Sequence, residues 1–208
     1  MIASFRERFG YGDGVRVFRA PGRVNLIGEH TDYNLGFVLP VALEMACFAA
    51  SAPSRDGRFR VYSENRNASR EWAAGEVASL KPSKDWSDYV AGVMQQVLAA
   101  GFAVEPCNLY VRSTVPEGGG LSSSAALEVS TALALLAGRP IDPLELAKLC
   151  RRAEVEFVGM PCGIMDQYIS VFGREHAAVR IDCRSLENEI VPLPEVEILA
   201  VNTMVKHE

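Results

Sequence analysis

The chain is 208 residues long, 49% hydrophobic and 23% charged, with a formal net charge of −5 at pH 7. Such a chain can bury one good core, or one domain and part of another. The acidic balance without any Lys/Arg run argues against a nucleic-acid partner; no apolar run reaches the ~18 residues of a membrane span, and Arg6, Glu7 and Arg8 stand where a signal peptide needs an apolar core, so a cytoplasmic protein is expected.

Residues 16–20 read as a short strand, followed by a loop at Pro21-Gly22-Arg23 and a second apolar stretch at 24–27. Residues 28–36 are dense in polar and turn residues, and 37–41 resume an apolar run. Strands are predicted at 47–51 and 59–62, on either side of the turn Pro53-Ser54-Arg55-Asp56-Gly57. Tyr89, Val93, Gln96 and Val97 recur at helical spacing within 85–100, and Gly101 follows as a stop. A strand at 109–115 runs into Pro116-Glu117-Gly118-Gly119-Gly120-Leu121-Ser122-Ser123-Ser124-Ala125, and a helix is predicted from Ser123 to about Ala137. Asp142-Pro143-Leu144-Glu145 supplies an N-cap, a first-turn proline and a glutamate three residues after the cap, which predicts a helix to about Val158. A further helix is predicted at 164–172, closed by Gly173, with strands at 177–182 and 197–201. Helices and strands mix without strict alternation, so the predicted class is α+β. The chain runs to Glu208 directly after a strand-like stretch, and is expected to stop inside a second domain. Cys47, Cys107, Cys150, Cys162 and Cys183 form no C-x-x-C pair and no Cys/His metal spacing; they read as small buried hydrophobes.

Three segments carry candidate chemistry. The three glycines at 118–120 let a ligand approach the backbone, and the first N–H groups of the helix that follows have no internal partner and carry positive partial charge. Such a loop suits phosphate, although neither G-x-x-x-x-G-K-[ST] nor a strand-linked G-x-G-x-x-G is present. By itself it fits a plain connection before a core helix equally well. On the 142–158 helix, Glu154 lies on the apolar stripe of Ala147, Cys150, Phe157 and Val158. A buried carboxylate needs a partner or a metal. Glu154 reads either as an ion pair with Arg23 or Arg151, or as a Mg²⁺ ligand that shares the ion with a serine hydroxyl. Glu156, four residues after Arg152, reads as a solvated pair. Asp166 reads by position as a helix N-cap, and Arg23 alone as a surface arginine. Gly28-Glu29-His30-Thr31-Asp32-Tyr33 gathers two carboxylates, an imidazole and two hydroxyl-bearing side chains. It reads as a polar turn around Asp32, or as a site for a ligand with many hydroxyls, since carboxylates accept paired O–H bonds. Glu128 is a lone acid on an otherwise apolar helix, with no role legible from its neighbours.

Together these segments resemble the galactokinases of the GHMP kinase superfamily. The run Arg19-Ala20-Pro21-Gly22-Arg23-Val24-Asn25-Leu26-Ile27-Gly28-Glu29-His30-Thr31-Asp32-Tyr33-Asn34 is similar to the galactokinase signature, residues 118–125 to the superfamily's ATP motif, and Gly159 to Gln167 to the segment bearing the catalytic aspartate. The resemblance implies the α+β fold of a GHMP kinase N-terminal domain at 1–175, with the start of a truncated C-terminal domain at 176–208. It implies Asp166 and Arg23 as the catalytic pair, and Glu29, His30, Asp32 and Gly163 as sugar contacts. It further implies Gly118, Gly119, Gly120, Leu121, Ser122, Ser123 and Ser124 as the phosphate cradle, and Ser124 and Glu154 as Mg²⁺ ligands. The activity implied is transfer of phosphate from ATP to the anomeric hydroxyl of D-galactose, by a monomer or homodimer. A kinase for N-acetylgalactosamine or arabinose would share these motifs; the family's non-catalytic galactose- and ATP-sensing regulators depart from them in the Ser-rich loop, where Ser122-Ser123-Ser124-Ala125-Ala126 shows no deletion. Galactokinases are considerably longer and carry most of a second domain beyond this stretch, so the chain reads as a fragment, or as a part whose remainder is a separate polypeptide or lost, and the resemblance leaves its activity alone open.

Overall fold

The computed structural model describes residues 1–201. Alternation of side chains along a strand puts successive residues on opposite faces, and this organises the core. On β3 (Pro40–Pro53), Cys47 and Ala49 enter the main cluster, while Ala50 and Ala52 enter a smaller one with Phe5 and Tyr11. Over 47–52 both faces of the strand are therefore covered, which explains the small apolar residues there. The small cluster lies under α1 (Ile2–Phe9), and the main one under α2 (Ser87–Ala99), α3 (Ser123–Leu136) and α4 (Pro143–Arg152). No described helix is long and apolar enough to cross a membrane.

The sheet has eight strands, ordered β2-β7-β3-β6-β4-β5, with β1 also paired to β3 and β8 to β7. The other strands are β1 (Arg16–Asn25), β2 (Phe37–Val38), β4 (Arg58–Ser63), β5 (Ala68–Ala73), β6 (Cys107–Ser113), β7 (Ala177–Asp182) and β8 (Asn188–Pro192). β4 and β6 pair in parallel and every other pair is antiparallel, so a crossover through β5 and α2 is needed between them. This mixed sheet bears out the α+β class.

Several predicted boundaries change. The expected loop at Pro21-Gly22-Arg23 is part of the continuous strand β1, which carries a bulge where its pairing to β3 slips between Pro21 and Arg23. A bulge bends a strand and re-aims its side chains. The runs at 37–41 and 47–51 belong to β2 and to the single long strand β3. The helix from Asp142 ends as α-helix at Arg152 and continues as one wider π turn, Ala153–Val158. Residues 197–201, expected as a strand, have no regular structure; 202–208 lie outside the described residues. β7 and β8, which lie within 176–208, extend the same sheet.

Candidate functional site

The bulge in β1 sets the first half of the site. Arg23 follows it, and its backbone N–H donates to the Leu121 carbonyl at 3.0 Å. A Cβ on Gly22 would lie 2.7 Å from that same carbonyl oxygen, so only glycine lets the strand approach the loop this closely. The Arg23 side chain then crosses to α5 (Met165–Phe172). Its Nε and Nη2 donate to the two oxygens of Asp166, each at 2.8 Å, and its Nη1 donates to the Gly120 carbonyl at 2.6 Å. This is a bidentate guanidinium–carboxylate pair, the strongest and most directional of the charged contacts. Asp166 is not the N-cap that its position predicts. Ile164 holds that place, and Asp166 projects from the first turn toward Arg23 and the serine loop.

Ser122 completes the second half. It is the N-cap residue of α3, held in the left-handed region at φ 58°, yet its side chain makes no cap. Its hydroxyl donates to Asp166 Oδ2 instead. The amides of the first turn of α3 are thereby left without the usual side-chain acceptor, at the positive end of a helix dipole. They border a cavity of about 430 Å³ lined by Arg23, Gly118, Gly120, Leu121, Ser122, Ser123, Ser124 and Asp166. The structure thus brings the glycine-serine loop and the Arg23–Asp166 pair to one cavity, with Gly119 inside the same loop.

Two aromatics that the sequence did not mark as site residues, Trp86 and Tyr89, line the same cavity with Ser63 and Asn65. Tyr89 begins the apolar stripe of α2 and reads there as core; its place one turn before the fully buried Val93 was the available signal. Burial pushes its phenol up to about 12, with the carboxyls of Glu154 and Glu128 adding to the rise.

Glu154 is buried at 8% exposure within the π turn, and makes no ion pair among the described residues. Arg23 is committed to Asp166, and Arg151 donates through Nε to the Cys162 carbonyl at 3.0 Å. Glu154 Oε2 accepts from the Gln167 amide at 2.6 Å and from the Cys162 thiol at 3.6 Å. Burial holds its carboxyl above the ordinary range and the nearby Asp166 charge adds to this, while the Gln167 amide and the Ser124 hydroxyl pull the other way. The expected Glu156–Arg152 pair is also absent: Gln96 bridges them, donating to Glu156 at 2.9 Å and accepting from Arg152 at 3.1 Å. Ser124 and Glu154 offer hydroxyl and carboxylate oxygens, a donor set that fits a hard divalent cation. Among the described residues no three His, Cys, Asp or Glu are placed to enclose a metal, so phosphate and water would supply the remaining ligands.

Glu128 is fully buried on α3, and its Oε2 accepts from the same Gln167 amide at 2.9 Å. Burial, and then the neighbouring Glu154 charge, raise its carboxyl well above the ordinary range. The folded chain therefore holds a proton that the unfolded chain releases. The associated stability is complete below the unfolded glutamate value and is lost as pH rises through the interval between the two. Glu128→Gln removes this titration, so as pH rises above the unfolded glutamate value its melting temperature should fall less steeply than that of the wild type. An unchanged slope would contradict a neutral Glu128.

The polar loop at 28–36 divides into structural and free groups. Thr31 Oγ1 lies 2.6 Å from the Gly28 carbonyl and 2.7 Å from that of Phe37, and Asn34 donates to the His30 carbonyl at 2.8 Å. These hold the turn. Glu29 accepts from Asn25 at 2.7 Å, and His30 meets the Tyr33 hydroxyl at 2.5 Å; both acids and the imidazole stay outside the core. Asp32 packs against Gly163, where any Cβ would collide with its carboxylate. Asp32 and Gly163 line a second cavity of about 480 Å³. The structure thus ties Asp32 to the segment that bears Asp166, whereas Glu29 and His30 sit on the exposed side of their loop.

Residues 88–174, which contain the glycine-serine loop, match the GHMP kinases N terminal domain. Residues 3–53 match the galactokinase galactose-binding signature. The chain is 45% identical over 194 residues to a galactokinase of Thermotoga neapolitana, covering 91% of this chain and 53% of that one. It is 44% identical over 217 residues to a galactokinase of Homo sapiens, covering 98% and 54% respectively. A crystal structure of Lactococcus lactis galactokinase complexed with galactose superposes with a TM-score of 0.86 at 35% identity, over 92% of this chain and 50% of that one. The chain is thus similar to galactokinases over more than nine-tenths of its length, and it spans about half the length of the relatives it matches.

Proposed function

We propose that the chain is the nucleotide- and sugar-binding part of an enzyme that transfers the γ-phosphoryl group of ATP to the anomeric hydroxyl of D-galactose. The observation that carries this is the bidentate Arg23–Asp166 pair at the wall of the cavity formed by the glycine-serine loop. Phosphoryl transfer depends mainly on positioning and charge stabilisation. The uncapped amides of α3 and the loop 118–124 would hold the phosphates, and Trp86 and Tyr89 offer flat apolar surface for the adenine ring. Mg²⁺, held by Ser124 and Glu154, would supply charge neutralisation on the β- and γ-phosphates. Glu29, His30, Asp32 and the backbone at Gly163 would hold the sugar hydroxyls. Asp166 would accept the proton of the attacking hydroxyl as general base. Arg23 would keep that carboxylate in place and offset charge on the transferring group.

Calorimetric titration of the chain with ATP·Mg²⁺, and separately with galactose, tests the reading. Binding of both is expected. Failure to bind either would remove the chain from this role. Arg23→Lys should weaken ATP as well as turnover, because the guanidinium also holds the Gly120 carbonyl of the loop; a loss of turnover alone would show that the loop stands without it.

A further inference from the structure

The two buried acids that flank Gln167 have no place in the scheme above beyond Glu154 itself. Gln167 is fully buried, one residue after Asp166 on α5. A side-chain amide nitrogen carries two donors. Here one goes to Glu128 Oε2 on α3 at 2.9 Å and the other to Glu154 Oε2 in the π turn at 2.6 Å. One amide therefore ties together the helix that begins at the serine loop, the turn that bears Glu154 and the helix that bears Asp166. With Oε2 of Glu154 engaged, the orientation of the whole carboxylate is set relative to Ser124. The arrangement costs something: Glu128 Oε1, Gln167 Oε1 and Thr131 Oγ1 are buried without a hydrogen-bond partner among the described residues. Buried polar atoms left in this state are destabilising, by about 1–3 kcal/mol each. A purely structural filler at these positions would be apolar.

We propose that Gln167 and Glu128 are positioning residues for the Mg²⁺ ligand Glu154: Gln167 orients its carboxylate, and Glu128 anchors Gln167. This rests on reading Glu154 as a metal ligand. Without the amide, the Glu154 carboxylate would lose the donor that fixes its Oε2, and would be free to turn away from Ser124. Outer-shell partners of this kind typically change metal affinity about 10–100-fold when removed.

The test is the ratio of ATP affinities measured by calorimetry on the 208-residue chain, with Mg²⁺ and with EDTA. Gln167→Leu should lower that ratio at least about tenfold, with the metal-free affinity and the circular dichroism spectrum unchanged. Glu128→Leu should lower it as well, and Glu128→Gln should restore it, because a glutamine carbonyl still accepts from Gln167. Glu154→Gln is the control for the underlying reading. If it leaves the ratio unchanged, Glu154 is not the ligand and the proposal falls with it. If Glu154→Gln lowers the ratio but Gln167→Leu does not, the ligand stands and the positioning role is wrong. Equal losses of metal-free and Mg²⁺-dependent affinity in Gln167→Leu would mark a structural role only. Should Gln167→Leu fail to fold, the Glu128 pair decides: equal ratios in the Leu and Gln variants overturn the proposal.

Discussion

In the complete protein, Asp166→Ala is expected to lower phosphotransfer to galactose by about 10²–10⁴-fold, the usual worth of a positioned general base, while ATP affinity changes little. The expectation follows from how the carboxylate is held. Arg23 grips both oxygens, and the Ser122 hydroxyl meets one of them. A group this constrained is already oriented before substrate arrives. The proposed ATP contacts are the loop amides and the aromatics Trp86 and Tyr89, which make no hydrogen bond to Asp166. Rate and nucleotide affinity, measured on the same preparation, separate the two roles. A near-normal rate would rule out the base assignment. A large loss of ATP affinity would mean that Asp166 chiefly anchors the loop through Ser122.

Gly163→Ala should weaken galactose at least about tenfold, equivalent to about 1.4 kcal/mol, and leave ATP affinity close to wild type. The added methyl meets the Asp32 carboxylate directly. Overpacking of this kind costs about 1–3 kcal/mol when the neighbours yield. The neighbour that yields here is a side chain on a loop already pinned by Thr31 and Asn34. Asp32 must swing away while the turn stays. Titration with galactose and with ATP reads the effect. Equal losses for both ligands would show that the substitution disturbs the whole Gly163–Gln167 segment rather than a sugar contact.

The path from sequence to site was uneven, for physical reasons. The start of α4 was legible because every signal is local: Asp142 accepts from the amides of Leu144 and Glu145, and Pro143 occupies the first turn. The buried stripe of that helix was legible too, and Glu154 lies on it. Its partner was not legible. An ion pair with Arg23 or Arg151 was as reasonable as a metal, and the structure gives it Gln167, thirteen residues away across a turn. The loop expected at Pro21-Gly22-Arg23 failed for a related reason. Proline and glycine mark a break in isolation, but pairing to β3 overrides them and turns the break into a bulge.

By itself the sequence determined the local chemistry: a glycine-rich turn that opens a helix, a carboxylate on an apolar stripe, and a polar cluster whose spacing matches one family. These depend on residue type and short spacing, and both are present in the linear chain. Only the tertiary structure decided partners. It joined Arg23 to Asp166 across 143 residues of sequence separation. It diverted Ser122 from capping its own helix to bonding that same aspartate, and it placed one glutamine amide between two acids from different elements. Such pairings are set by how helices pack on a sheet, where directions and distances follow from the whole fold and from no single segment.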